Sequence, residues 1–135
     1  MGNITWNNDF SVGIQKLDEQ HKKIIEIENK LIKAKDVTAN SETIADILSE
    51  LTKYTSTHFE AEEKLFYEYN YPEYSLHRAE HNQFRKRLAD LCMDAMYHKP
   101  TVATDLLTFL EGWWKYHTQG SDMKYKVFFS ERGLK

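Results

Sequence analysis

Between residues 44 and 69, Ile44, Leu48, Leu51, Thr55, His58, Glu62, Leu65 and Tyr69 recur at spacings of three and four. That period lines them along one face of an α-helix, the face that packs in a helical bundle. Three other stretches repeat the pattern. His77, His81, Phe84, Leu88, Leu91 and Ala95 form one seam, and Leu106, Leu110, Trp113 and His117 another. Leu17, His21, Ile24, Glu28 and Leu31 form the remaining one, with Ile25 and Ile32 beside them. No strand-like alternation persists, and 5 glycines and 2 prolines in 135 residues leave long helices uninterrupted.

The spacing predicts an all-α, antiparallel up-down-up-down four-helix bundle forming one domain over 1–135. Its helices are expected near 18–36, 41–69, 72–97 and 101–118, after an extended arm at 1–17 and before a short helical tail at 122–135. Asp18 is a candidate cap for the first helix, and Asn40 or Ser41 for the second. Pro72 suits an opening turn, and Pro100 separates the last two helices. A chain of this length buries about two thirds of its unfolded surface, enough for one sizeable core.

Histidines and a glutamate occupy positions that otherwise hold core side chains. His21 falls near a helix start, His58 and Glu62 near an end, His77 and His81 near a start, and His117 near an end. Short loops make successive helices antiparallel neighbours. The alternation therefore brings all of these groups to one end of the bundle, where they form parts of a single buried site. Residues at i and i+4 are offset by only about 40° around a helix, so His58 with Glu62, and His77 with His81, aim inward together.

Burying such groups without partners is costly, at about 1–3 kcal/mol for each unsatisfied polar group and more for an ionised carboxylate. A metal removes that cost by accepting their lone pairs. Five histidines exceed what one tetrahedral zinc takes, and HExxH is absent. With a carboxylate beside them they suit two first-row ions, most naturally iron. A second carboxylate is needed to bridge the pair, and Asp122 in HTQGSD is the candidate. A regular helix points i+5 away from i, so this placement requires the chain to end or bend at Gly120.

Composition limits the alternatives. With 18 basic and 21 acidic residues the net charge is -3, which offers no footprint for nucleic acid. No apolar run is long enough to span a bilayer, and MGNITWNNDF lacks the basic and apolar regions of a secretory signal. A single cysteine, Cys92, excludes an internal disulfide and a cysteine-based metal cluster. These features suit a cytoplasmic protein without a membrane partner.

The motifs W...F.VGI..LDEQH at 6–21, HFEAEE at 58–63, YP....H...H at 71–81 and WW..H....D..Y at 113–125 resemble the hemerythrin family in its single-domain bacterial form. The resemblance covers nearly the whole chain. It implies a non-enzymatic, non-haem di-iron protein that binds molecular oxygen reversibly as hydroperoxide, for transport, storage or sensing, with a monomer expected. His77, His81 and His117 would saturate one iron (Fe2+/Fe3+). His21 and His58 would hold the other, which keeps an open position for oxygen. Glu62 and Asp122 would bridge both, with an oxo or hydroxo group as third bridge. The oxygen pocket would comprise Ile24, Phe59, Trp113, Trp114 and Thr118.

Two of these depart from the family pattern, which has Leu at the position of Trp114 and Ile at that of Thr118. An indole at 114 should restrict access to the open iron, whereas the Thr118 hydroxyl could attract water or donate a hydrogen bond to bound oxygen. Other residues take plainer readings. His98 takes a structural reading near a helix end, Glu60 and Glu63 are expected on solvated faces, and Trp6, Phe10, Tyr125, Phe128 and Phe129 in packing. Glu28 can reach a bundle edge or support a ligand. The alternative functions are a di-iron enzyme reducing oxygen, peroxide or nitric oxide, and an iron-storage or iron-sensing protein. The ferritin-like Glu-x-x-His pattern is absent, which argues against that group of enzymes.

Overall fold

A computed structural model of the chain describes residues 4–36 and 41–134. It is an all-α four-helix bundle, with no strand among the described residues. Helix α1 spans Gln15–Asp36, α2 Ser41–Glu68, α3 Tyr74–Met96 and α4 Val102–Phe109. Two π turns, Leu110–Trp114 and His117–Ser121, carry α4 onward into α5, Asp122–Ser130. Each helix packs against its neighbours in sequence, and α4 closes the ring against α1.

The helix starts differ from expectation in informative ways. Helix α1 begins at Gln15, and Asp18 lies inside its first turn rather than at its cap. There the Asp18 carboxylate accepts hydrogen bonds from the Val12 amide (2.8 Å) and the Ser11 hydroxyl (2.6 Å). Asp18 thereby ties the arm to the helix, near the positive end of its dipole. Gly13 supplies the left-handed backbone (φ +78°) that the chain needs to turn there. The cap expected from Asn40 or the Ser41 side chain lies outside the described residues. Pro72 lies in the turn before α3, two residues short of the helix.

The arm is held at both ends. Ile4 exchanges two hydrogen bonds with the Asn29 side chain, at 2.7 and 2.8 Å. Val12 and Ile14 are buried, each contributing about 1.5–3 kcal/mol by leaving water.

The core divides into two apolar clusters. One contains Ile24, Leu31, Leu51, Phe59, Phe84, Leu88, Leu106 and Leu110; the other contains Val12, Leu17, Phe66, Tyr71, Tyr125 and Phe129. On α1 and α2 an expected ligand falls between a member of one cluster and a member of the other. On α1, His21 stands between Leu17 and Ile24, and on α2, Glu62 stands between Phe59 and Phe66. The polar groups thus form a layer inside the bundle. They are buried there, as expected from the alternation along the helices, and the arm and α5 supply the second apolar cluster that covers them.

Candidate metal centre

All seven expected ligands reach this layer, and none exceeds 2% exposure. Two groups of donor atoms gather within 4.8 Å of one another: Glu62, His77, His81 and His117, and His21, His58, Glu62 and Asp122. Glu62 belongs to both. Its Oε1 faces His58 (3.4 Å), His77 (3.7 Å) and His81 (3.1 Å). Asp122 also spans the groups, with Oδ2 toward His21 (3.4 Å) and Oδ1 toward His77 and His117 (both 3.1 Å). The Nε2 atoms of His21 and His58 converge to 2.7 Å.

Asp122 reaches this place through the second π turn. Five residues along an α-helix is about 140° around the axis, on the wrong face. An i→i+5 turn adds one residue per turn and returns Asp122 to the side of His117. Gly120 lies in this turn, but the helix does not end there. It continues into α5 with a shifted phase.

The histidines are oriented from behind by a rule that sequence reasoning missed. His58 Nδ1 donates to Gln20 Oε1 (2.8 Å), His81 Nδ1 to Glu63 Oε2 (2.7 Å) and His117 Nδ1 to Glu80 Oε1 (3.0 Å). Each supporting residue is adjacent in sequence to an expected ligand on its own helix and braces an expected ligand on the next helix. With Nδ1 carrying the proton, Nε2 presents a lone pair inward, as a metal ligand must. Glu63 is therefore not the solvated residue expected, since it also accepts from Arg85 (3.0 Å). Glu80 further accepts from the Ser121 hydroxyl (2.7 Å). Aromatic faces complete the bracing: Phe59 stacks on His81 at 3.9 Å and Trp113 on His117 at 4.5 Å. Glu60 is exposed, as read from the sequence, and His98 lies exposed in the turn after α3.

The donor set fits a metal. Both Glu62 oxygens, both Asp122 oxygens and the Nε2 atoms of His77, His81 and His117 are buried without a hydrogen-bond partner among the described residues. In an ordinary polar network such atoms would be paired. Without a metal the charges have to adjust. Burial pushes His58 down to about 3. Burial also opposes charge on His77, but the nearby Asp122 and Glu62 carboxylates outweigh it and raise His77 to about 9. The same two carboxylates are held well below their usual range by the imidazoles, against burial and their mutual repulsion.

The five expected pocket residues divide. Trp114 and Thr118 line a cavity of about 440 Å³ that reaches His21. Ile24, Phe59 and Trp113 do not line it. Ile24 is buried in the core, and the other two lie against histidine rings. The Trp114 indole meets the His21 and His58 rings edge-on at 5.8 and 6.1 Å. The Thr118 hydroxyl donates to the Trp114 carbonyl (2.9 Å), so its proton is committed to the helix and is not free for a bound ligand.

Residues 12–128 match the Hemerythrin HHE cation binding domain. The chain belongs to the hemerythrin family. It is 31% identical to the bacteriohemerythrin of Stenotrophomonas maltophilia (strain R551-3), over 93% of this chain and 80% of that protein. It is 37% identical to a hemerythrin-like protein of Naegleria gruberi, over 91% of each. A crystal structure of a hemerythrin variant superposes with a TM-score of 0.85 at 29% identity, covering 94% of this chain and 97% of that one. Hemerythrins are generally oxygen-binding proteins. The buried His, Glu and Asp cluster gives this member the residues to bind metal. No helix among the described residues is long and apolar enough to cross a membrane.

Proposed function

We propose that this hemerythrin holds two iron ions and binds molecular oxygen reversibly at one of them, as a carrier rather than an enzyme. The observation that carries this reading is the buried layer of donor atoms that lack protein partners, divided into two groups sharing Glu62. His77, His81 and His117 would complete one ion, and His21 and His58 would hold the other with fewer protein ligands. Glu62 and Asp122 would join the two. When bound, the irons supply the oxygen-binding position and the electrons that oxygen takes up.

The chain's own contribution is orientation and exclusion of water. Gln20, Glu63 and Glu80 fix the tautomers of three ligands. Phe59 and Trp113 fix the planes of two imidazole rings by stacking. The two apolar clusters seal the layer on either side, and Trp114 narrows the approach to His21 and His58. A dry, braced site favours release of oxygen unchanged, because water and protons that would convert it to peroxide are kept away.

Iron analysis and repeated oxygen cycling test this function. Two irons per chain are expected, with a visible absorption band that appears under oxygen and disappears on its removal through several cycles. Conversion to ferric protein with peroxide or water released on every cycle would instead make the protein an oxygen-reducing enzyme.

A further inference from the structure

The cavity of about 440 Å³ lies between the arm, α1 and the α4 run, and among the proposed ligands only His21 touches it. Its walls are mostly apolar, with Trp6, Phe10, Ile25 and Trp114 among them, yet Glu28 and Glu111 also line it. Glu28 is 3% exposed, and no hydrogen bond or ion pair reaches it among the described residues. Glu111 Oε1 is buried and equally without a partner. Lys115 stands at the cavity too, one turn beyond Glu111, but it is exposed and can offset only one of the two carboxylates.

A buried carboxylate needs a donor or a proton. Burial and the neighbouring charge of Glu111 push Glu28 up to about 7, so neutral water leaves it only part-ionised. Both acids face an apolar space that lies within the range of small-molecule pockets, roughly 300–1,000 Å³. Anions are disfavoured by the carboxylates, and a neutral apolar guest would leave them unpaired. Hard divalent ions take six or more oxygen ligands, which two carboxylates in apolar walls do not provide. A cation with an apolar body satisfies both halves of the cavity, and the Trp114 indole favours a cationic guest as well, whereas the Trp6 ring already carries the Lys22 ammonium at 5.2 Å.

We propose that this cavity binds a small organic monocation, an ammonium group on an aromatic or alkyl body, with the ammonium held by Glu28 and Glu111. The site is separate from the metal layer, and its occupant would stand in the approach to His21.

Calorimetric titration of the iron-loaded protein with 2-phenylethylammonium tests this, at about pH 8 so that Glu28, at about 7, is ionised. The neutral 2-phenylethanol and the anionic 3-phenylpropanoate serve as comparisons of similar shape. Saturable binding of the cation is expected, with the alcohol weaker by at least about tenfold and no binding of the anion. Glu28→Gln and Glu111→Gln should each weaken the cation by at least about tenfold while leaving the alcohol unchanged. Absence of saturation up to roughly 10 mM cation, equal binding of all three probes, or full affinity in either correctly folded variant overturns the proposal. If Glu28→Gln loses its iron or unfolds, Glu111→Gln alone decides. Calorimetry reads binding whatever the metal centre does, so a negative result leaves the oxygen reading untouched.

Discussion

His117 Nε2 lies 3.1 Å from Asp122 Oδ1, although the two residues are five apart on one continuous helical run. The π turn His117–Ser121 makes that contact possible, and it also points Ser121 elsewhere, to Glu80. Position in the turn, and not the mere presence of an acid, therefore decides whether a carboxylate reaches the site. Asp122→Ala should lose most bound iron. The double variant Ser121→Asp with Asp122→Ala, which places the acid four residues from His117, should not recover it. Iron content by elemental analysis checks both, and recovery in the double variant would show that the π turn is dispensable.

Glu80 braces His117 and Ser121 together, so its removal should loosen a ligand without deleting one. Glu80→Ala is expected to weaken metal affinity by about 10–100-fold, the usual effect of losing the hydrogen-bond partner of a metal-ligating histidine. Glu63→Ala should act similarly through His81. The exposed Glu60→Ala is the control and should change nothing. Competition with a chromogenic chelator gives the affinities.

The seams made the bundle and six of the seven expected ligands legible because period and burial are properties of single helices. His58 with Glu62 and His77 with His81 could be paired from spacing alone. Asp122 could be named but not placed, since nothing in HTQGSD announces a turn of five. The supports Gln20, Glu63 and Glu80 escaped because they act between helices, and a helix seen alone shows them as outward polar residues. A legible signal did exist: an acceptor beside a ligand, one helix back from the histidine it serves. Thr118 was misjudged for a related reason, as its hydroxyl turns to its own helix and not to the cavity.

Trp114 meets the His21 and His58 rings edge-on while packing against Phe59 and Phe84. Trp114→Leu should widen the cavity, speed azide association with the iron-loaded protein and shorten the life of the oxygen-dependent absorption band. Replacing a buried aromatic also costs stability, on the order of 3–5 kcal/mol for full truncation to alanine and less for leucine. Thr118→Val removes a hydroxyl already satisfied by the Trp114 carbonyl and should leave both rates nearly unchanged. Stopped-flow azide binding separates the two variants. If Trp114→Leu leaves the rate at the wild-type value, the indole acts only in packing.

Glu28 gives the fold a pH dependence whose sign can be worked out. Its carboxyl is raised from 4.5 to about 7 by burial and then by Glu111, with Lys115 and His21 also lining the cavity it faces. Between those values the folded protein holds a proton that the unfolded chain has released. Stability contributed by that proton is complete below about pH 4.5 and is lost as pH rises through about 7. The loss is on the order of 3 kcal/mol, from a shift of roughly two to three units at about 1.4 kcal/mol each. Glu28→Gln resembles the protonated acid and never ionises. At matched iron loading it should therefore match the wild type near pH 5 and exceed it at pH 8. Urea unfolding of both proteins across this range measures the difference. A gap that stays constant with pH, or narrows as pH rises, would mean that Glu28 keeps its ordinary acidity in the fold.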